Sequence, residues 1–401
     1  MPSDPLHLQG SPKLIRKIID EISLRGPLTF ARFMELALYE EGQGYYMTQP
    51  DKQDQSSRER IGWVGDFYTV PELSPILAKT LVRQVLAIDA QLGQPHTFTV
   101  VEMGGGNGTF AADFLQHCQT IAPDFLNRLR YSLVERSPYL QSLQESRIQH
   151  VMGSWTETRV SWVTSIGELD PGSVLGVMFS NELVDALPVH RIRLQNQCLQ
   201  ELFVEYAEGR FVERLGPLSS PKLQEYVHLH RIDLQEGQTS ELHLAAEEWM
   251  TQVARVLQQG VIITIDYGHT GSDYYGADRN DGTLLCYYQH AVSKNPYTRV
   301  GEQDMTAHVN FSALAKVGNA CGLFPVGFTT LANWLMGLGV EAMVQDQDPE
   351  SSEIQALSQC LRPHGIGTTF KVFVQQKGIE SVSLEGLRYR AFFDDVLWSD
   401  A

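Results

Sequence analysis

The sequence predicts an α/β fold built on an open, parallel sheet. Three observations predict it. Apolar and β-branched runs recur at 98–101, 131–134, 174–179 and 261–265, each short enough to be a strand buried on both faces. Between them lie stretches with apolar side chains at helical spacing, such as Phe110, Phe114 and Leu115. The third observation is V-V-E-M-G-G-G-N-G at 100–108, a glycine-rich turn from the first strand into a helix. Gly104, Gly106 and Gly108 have no Cβ, so the backbone there can turn tightly and approach a ligand. The amides that open the following helix can face a polar or anionic group.

Two cofactor classes use such a turn. Dinucleotide folds read G-x-G-x-x-G, with an acid about 20 residues further on. Here the glycines read G-x-G-x-G, and an acid, Glu102, stands two positions before the first of them. A carboxylate at the strand end suits a cofactor bearing an ammonium group better than one bearing a pyrophosphate. The spacing E-x-G-x-G-x-G resembles the first motif of class I S-adenosylmethionine-dependent methyltransferases. On the residues alone, a dinucleotide site and a purely structural turn stay open. Glu135 ends the next strand, where a carboxylate can accept both hydroxyls of a ribose or stand as an ordinary solvated strand end.

Composition narrows the function classes. At 401 residues, with 43% hydrophobic and 20% charged side chains, the chain reads as a soluble globular protein with room for a large core. No apolar run approaches the length of a membrane span. Residues 1–10 show no basic region followed by an apolar stretch and no richness in Arg, so neither a secretory signal nor a transit peptide is expected. The five cysteines are scattered without a C-x-x-C pair, which suggests neither a zinc site nor a disulfide framework and fits a reducing cytoplasm. A net charge of −17 opposes nucleic-acid binding and suits a basic partner or a solvated acidic surface.

From the N-terminus, Ser11-Pro12 reads as an N-cap with proline at the first helical position, followed by an apolar stripe of Leu14, Ile15, Ile18, Ile19 and Ile22. Thr29 caps a second helix through Phe33, Leu36, Ala37 and Tyr39. Residues 42–46 form a turn with aromatic packing, and 50–60, without an apolar side chain, an exposed loop. The segment 65–74 carries Asp66 and Glu72 and leads into a helix over 74–92. It reads either as a lid over a site or as a helix-capping loop.

The strand at 174–179 runs into S-N-E-L-V-D-A-L-P. Open α/β sheets bind ligands beyond the carboxyl ends of their strands, so Asn181, Glu182 and Asp185 are placed to face whatever the cofactor reacts with. A helix dipole favouring acids would account for Glu182 but less well for the cluster. Residues 192–206 alternate as an antiparallel hairpin around Gln195-Asn196-Gln197, and 207–240 are polar and low in pattern, an insertion into the sheet domain. A helix over 242–257 precedes the strand at 261–265, which ends at Asp266-Tyr267-Gly268-His269. Residues 282–290 read as a strand and turn, 304–311 lead into a helix to about 321, and 369–374 form a late strand that could close the sheet. His269, His290 and His308 lack metal-ligand spacing and read as satisfied polar side chains.

Together these stretches resemble the MidA-type S-adenosylmethionine-dependent methyltransferases, a family that includes the mitochondrial complex I assembly factor 7. The resemblance rests on Gly44-Tyr45-Tyr46, on Gly65-Asp66-Phe67 with Pro71-Glu72-x-Ser74, and on Glu102-x-Gly104-x-Gly106-x-Gly108-Thr109. It continues through Val134-Glu135-x-Ser137-Pro138-x-Leu140, Asn181-Glu182-x-x-Asp185-Ala186-Leu187-Pro188, and Asp266-Tyr267-Gly268. Gly282-Thr283-Leu284-x-Cys286-Tyr287, Thr306-Ala307-His308-Val309-x-Phe311 and Gly367-x-x-Phe370-Lys371-Val372 complete it, in the family's order over nearly the whole chain. Asn310 stands where the family has Asp, and Ile366 where it has Met; neither touches the cofactor motif. The loop at 50–60 and the tail at 379–401 lie outside it.

The resemblance implies a class I, Rossmann-like sheet with helices on both faces. It divides the chain into an N-terminal helical region and lid at 1–95, a cofactor domain at 96–270 with an insertion at about 192–240, a part completing the sheet and roofing the site at 271–378, and a tail at 379–401. It implies S-adenosyl-L-methionine as cofactor, held by Glu102, Gly104, Gly106, Gly108, Thr109, Glu135 and Ser137. Glu182 and Asp185, with Asp66 and Glu72, would orient an arginine guanidinium, a planar and always-charged fork that pairs best with carboxylates, and Asn181 would contact the substrate backbone or the methyl-bearing region. The expected substrate is a basic, arginine-bearing subunit of a complex I-like NDH assembly in a bacterial cytoplasm, and family analogy suggests a homodimer. The alternatives are a small-molecule methyltransferase, an NAD(P)-dependent oxidoreductase, and a non-catalytic assembly chaperone that keeps the fold.

Overall fold

The computed structural model describes residues 8–49, 66, 70–345, 348, 350–363 and 365–389. The loop expected at 50–60, the neighbours of Asp66 on both sides and the end of the tail lie outside the described residues. The chain forms two compact units.

The first unit comprises Tyr68–Val184, Trp249–Thr270 and Phe311–Ala401. It holds seven strands of one sheet: β1 (Phe98–Met103), β2 (Leu129–Val134), β3 (Val160–Val163), β4 (Val174–Asn181), β5 (Leu257–His269), β6 (Phe324–Thr330) and β7 (Phe370–Lys377). Their order across the sheet is β3-β2-β1-β4-β5-β7-β6. The first five are parallel, and β7 runs antiparallel to both its neighbours. The chain steps outward from β1 to β3 and then returns to place β4 on the other side of β1. That reversal is a topological switch point, and the crevice beyond the carboxyl ends of β1 and β4 is where such sheets hold ligands. The α/β fold expected from the sequence is therefore present.

The strands form because their side chains are apolar in consecutive positions. Val261, Ile262, Ile263 and Ile265 of β5 are all fully buried. Successive side chains of a strand point to opposite faces, so both faces of the sheet are covered. One face packs Val100, Leu133, Phe179 and Ile263 against Leu77, Leu81 and Val85 of the helix Ile76–Gln91 and against Phe110, Phe114 and Leu115 of helix α1 (Thr109–Ile121). Phe110 stacks on Phe179 with centroids 4.6 Å apart, which ties the helix that follows the glycine turn to β4. Helix α2 (Pro138–Met152) starts at Ser137, whose hydroxyl accepts from the Leu140 amide, with proline at the first turn.

One expectation about this sheet changes, and one of its strands is unexpected from the sequence. The late strand does not close it: β7 lies between β5 and β6, and the edge is β6. No element is expected from the sequence for that stretch, which carries Pro325 and Gly327. Proline lacks the ladder N–H and is tolerated on an edge strand or at a bulge, and the register of β6 shifts between Pro325 and Gly327.

The second unit comprises Met1–Phe67, Asp185–Glu248 and Gly271–Asn310. Its two N-terminal helices are Pro12–Arg25 and Phe30–Tyr39. Thr29 caps the second by accepting from the Arg32 amide at 3.1 Å, whereas Ser11 occupies the N-cap position of the first without a side-chain bond. The expected hairpin is His190–Gln195 paired with Cys198–Ala207, and Asn196 and Gln197 turn it with positive φ. The stretch at 207–240 is more ordered than its polar composition suggested. It contains the strand Arg210–Gly216, the helix Pro221–Leu229 and the start of the strand Thr239–Leu242. The first of these strands pairs with Cys198–Ala207, and sheet pairing supplies the order that periodicity did not show. A three-stranded sheet of Leu285–Tyr288, Ala291–Ser293 and Asp304–Thr306 completes the unit. Its core gathers Leu14, Ile18, Phe33, Tyr45, Val204 and Met305.

Candidate functional site

The glycine turn follows β1. Gly104, Gly106 and Gly108 have φ of 73°, 53° and 86°, the left-handed region that favours glycine. Space demands glycine as well. A Cβ on Gly108 would lie 2.8 Å from the Gln144 Cα, and one on Gly104 would lie 2.8 Å from Leu183 Cδ1. Gly108 is the N-cap of α1, so its helix opens with backbone amides and no capping side chain of its own. Asn107 Oδ1 accepts from the Thr109 amide at 3.1 Å and from the Thr109 hydroxyl at 2.8 Å, which fixes the turn from inside.

Two acids stand at the ends of adjacent strands in this unit. Glu102, in β1, is 3% exposed and accepts a hydrogen bond from the Tyr131 hydroxyl at 2.7 Å. Burial pushes its carboxyl up to about 7; the Tyr131 bond opposes that rise and the nearby Glu135 adds to it. Glu135, just past β2, accepts from the Ser137 amide at 2.8 Å and from the Gln144 amide group at 3.0 Å. Burial lifts it to about 7 as well, against those bonds. Ser137 thus serves twice, as helix cap and as amide donor to Glu135.

Gln144 is a residue that sequence reasoning missed. Its Nε2 donates to Glu135 and, at 2.8 Å, to the Gly106 carbonyl, while its Oε1 accepts from the Trp162 indole at 3.1 Å. One side chain therefore locks the glycine turn to the second acid. The signal was available: Gln144 lies seven residues after Ser137, two helical turns along the same face of α2.

Beyond the carboxyl end of β4 stand Asn181 and Glu182. Glu182 has φ of 52°, a left-handed conformation that costs a residue with a side chain about 1–2 kcal/mol. Its amide donates to the Ile265 carbonyl at 3.0 Å, and its Oε1 accepts from Asn181 Nδ2 at 3.0 Å. The Asn181 Oδ1 is buried without a hydrogen-bond partner. Asp266 of β5, fully buried, accepts from the Val184 and Tyr267 amides and so holds the chain where it leaves β4. Glu72 sits in the short helix Val70–Leu73, close enough to Asp113 of α1 to help burial raise that carboxyl to about 6, while Lys79 and Arg147 oppose it.

Asp66 and Asp185 belong to the second unit, where both are buried. Asp66 accepts from the Tyr45 hydroxyl at 2.9 Å and from the Gln289 amide at 2.7 Å. The Asp185 carbonyl accepts from the Ala307 amide. Sequence reasoning missed Asp304, which accepts from the Tyr46 hydroxyl at 2.8 Å and from the Met305 amide. Burial, then the charges of Asp185 and Asp66, push Asp304 up to about 7 against those two bonds. Neither a helical nor a strand period marks Asp304; only its long-range partners do. The structure thus places Asp66 and Asp185 with Asp304 in one unit, and Asn181, Glu182 and Glu72 in the other.

The donor set of the first unit has a definite chemistry. Two buried carboxylates, an orphaned amide oxygen and the amides of a helix N-terminus surround the switch point. A pyrophosphate would meet Glu102 as a like charge, whereas an ammonium would favour its charged form and ribose hydroxyls would suit Glu135. These residues fit a nucleoside cofactor that carries an ammonium group. Among the described residues, no group of three or more His, Cys, Asp or Glu is arranged to hold a metal ion, and no helix is long and apolar enough to cross a membrane.

Comparison with known proteins agrees with this chemistry. The family model of S-adenosyl-L-methionine-dependent methyltransferases matches residues 80–329. A Burkholderia thailandensis protein, crystallised with S-adenosyl-homocysteine bound, is 30% identical, with a TM-score of 0.84 over 97% of each chain. The mitochondrial protein arginine methyltransferase NDUFAF7 of Homo sapiens is 27% identical over 94% of this chain and 86% of its own length. The homolog from Drosophila melanogaster is 26% identical over 94% of this chain and 87% of its own. With a glycine turn at β1, acids ending β1 and β2 and the family match across more than half its length, the chain belongs to the S-adenosyl-L-methionine-dependent methyltransferases of the MidA type.

Proposed function

We propose that this methyltransferase modifies arginine in a protein substrate. The names of its mitochondrial relatives support the residue type. The observation that carries the reading is Glu182. Its carboxylate is fixed by Asn181 at the carboxyl end of β4, on a backbone strained into the left-handed region. Strain of that kind persists where the surrounding structure over-determines it, and it clusters at functional sites.

When bound, S-adenosyl-L-methionine supplies an electrophilic methyl group on a sulfonium. The chain's residues bind and orient. Glu102 would hold the ammonium end, the turn from Gly104 to Gly108 with Thr109 would pack against the cofactor, and Glu135, positioned by Ser137 and Gln144, would accept the ribose hydroxyls. Glu182 pairs with the guanidinium and concentrates electron density on one nitrogen, and the Asn181 Oδ1 accepts an N–H from the same substrate. Glu72, in the same unit, completes this acidic set; Asp66 and Asp185, in the second unit, are proposed separately as substrate-facing acids, tested by Asp66→Asn and Asp185→Asn. The substrate class is a basic subunit of an NDH-type respiratory assembly, the compartment a bacterial cytoplasm, and the working form a homodimer.

The test is methylation of candidate subunits, read by mass spectrometry of arginine, for the wild type and Glu182→Gln. The variant should lose on the order of 100-fold in kcat/KM, the scale of removing one preorganised electrostatic group. Its affinity for S-adenosyl-homocysteine should stay within about twofold. Full methylation by Glu182→Gln removes the assignment.

A further inference from the structure

The edge of the sheet farthest from β6 carries a groove that the proposed reaction does not use. Among the described residues, strand β3 pairs with β2 alone. Beside it, Glu145 and Gln149 of α2, Thr156 and Glu157 of the helix Trp155–Arg159, and Val160 and Trp162 of β3 line a cleft of about 530 Å³. Thr156 is 6% exposed, and its hydroxyl oxygen is buried without a hydrogen-bond partner. Both glutamates are exposed. The half-buried Trp162 ring is held by its nitrogen, which donates to Gln144 Oε1 at 3.1 Å.

We propose that this groove binds an extended, cationic segment of the protein substrate. It deepens the reading above and rests on the substrate being a protein. Four observations converge on that ligand. An unpaired strand edge offers a row of backbone donors and acceptors to an extended peptide. Two carboxylates and an indole line the same cleft, and a guanidinium or ammonium gains both from charge-assisted hydrogen bonds and from an aromatic face. The Thr156 hydroxyl is an unmet polar group in the lining. The chain's net charge of −17 draws a basic partner to such a surface and repels an acidic one. The floor of the groove also reaches the cofactor turn through one side chain, because Gln144 bonds Trp162, Glu135 and the Gly106 carbonyl together.

The test uses the full chain and a fluorescein-labelled decapeptide of alternating Arg and Val, with alternating Glu and Val as its counterpart, read by anisotropy. The wild type should bind the basic peptide, more weakly as salt rises, and should ignore the acidic one. Glu145→Gln with Glu157→Gln should weaken binding at least about fivefold at low salt, because two exposed charges each contribute modestly. S-adenosyl-homocysteine affinity should be unchanged in that variant, which shows that it is folded. Equal binding by the double variant, or equal binding of the acidic peptide, overturns the proposal. A wild type that binds S-adenosyl-homocysteine but not the basic peptide also overturns it and leaves the methyltransferase assignment standing. Peptide binding that depends on Glu145 and Glu157 supports the groove even if Glu182→Gln methylates normally, an outcome that would remove the arginine reading alone.

Discussion

Cofactor binding should release protons near neutral pH, and Glu102 should be one source. Burial raises its carboxyl from 4.5 to about 7. At about 1.4 kcal/mol per tenfold, the fold disfavours the charged form by roughly 3 kcal/mol. An ammonium placed against it favours the carboxylate, so the bound state holds fewer protons than the free one. At pH 6.5 a group titrating near 7 is roughly three-quarters protonated, and forcing it to ionise releases roughly 0.7 proton; at pH 8.5 it releases almost none. Affinity should therefore rise about tenfold between pH 6 and 8 for each acid so coupled. Glu135, also lifted to about 7, contributes in the same direction if ribose hydroxyls donate to it. The assay is calorimetry of S-adenosyl-homocysteine binding in two buffers of different ionisation enthalpy, at pH 6.5 and 8.5. Glu102→Gln should remove its share of the release and leave that of Glu135. No release at pH 6.5, or an equal release in the Gln variant, would refute the placement of an ammonium at Glu102.

Two further outcomes follow from the geometry. Gly108→Ala puts a side chain at φ 86° and a Cβ 2.8 Å from the Gln144 Cα, so it should cost about 1–2 kcal/mol from the backbone alone, more from the clash, and weaken S-adenosyl-homocysteine at least about tenfold; an unchanged Tm and Kd would show that the turn tolerates a side chain. Asp304 is raised from 3.8 to about 7 in the fold, so the folded state binds more protons than the unfolded one in that window, and its contribution to stability falls as pH rises through it. Asp304→Asn should remove a loss of about 2–3 kcal/mol between pH 5 and 8, measured by urea unfolding, and identical pH profiles for both proteins would count against a protonated Asp304.

Much of the first unit was legible because its signals are local. Strands buried on both faces write consecutive apolar residues, as at 174–179 and 261–265, and a glycine turn between strand and helix writes its own spacing. The failures have physical causes too. The edge strand β6 contains Pro325 and Gly327, which a central strand would exclude, and edges escape patterns derived from buried strands. In the strand Arg210–Gly216 only Phe211 is buried and Arg210, Glu213 and Arg214 are exposed, so polar side chains hide a pairing that backbone hydrogen bonds supply. In the candidate site, acids at strand ends could be read from position alone. Gln144 and Asp304 could not be read so directly, because their roles lie in partners 38 and 258 residues away.

The buried acids differ in how their charge is answered within the chain. Asp89 meets the Arg128 guanidinium at 2.7 Å, so its charge is answered within the chain and a second cation would gain little there. Glu102 meets a phenol, Asp304 a phenol and an amide, and Glu135 a backbone amide and a glutamine. Hydroxyl and amide donors hold a carboxylate in place without neutralising it, and burial lifts all three to about 7. The fold bears a cost of charging these groups that an internal arginine or lysine would have removed. A cation or a set of hydroxyls arriving from outside would relieve that penalty as it binds, which is what the proposed roles of Glu102 and Glu135 require. An internal salt bridge at Glu102 would make the unit more tolerant of high pH and a poorer host for an ammonium.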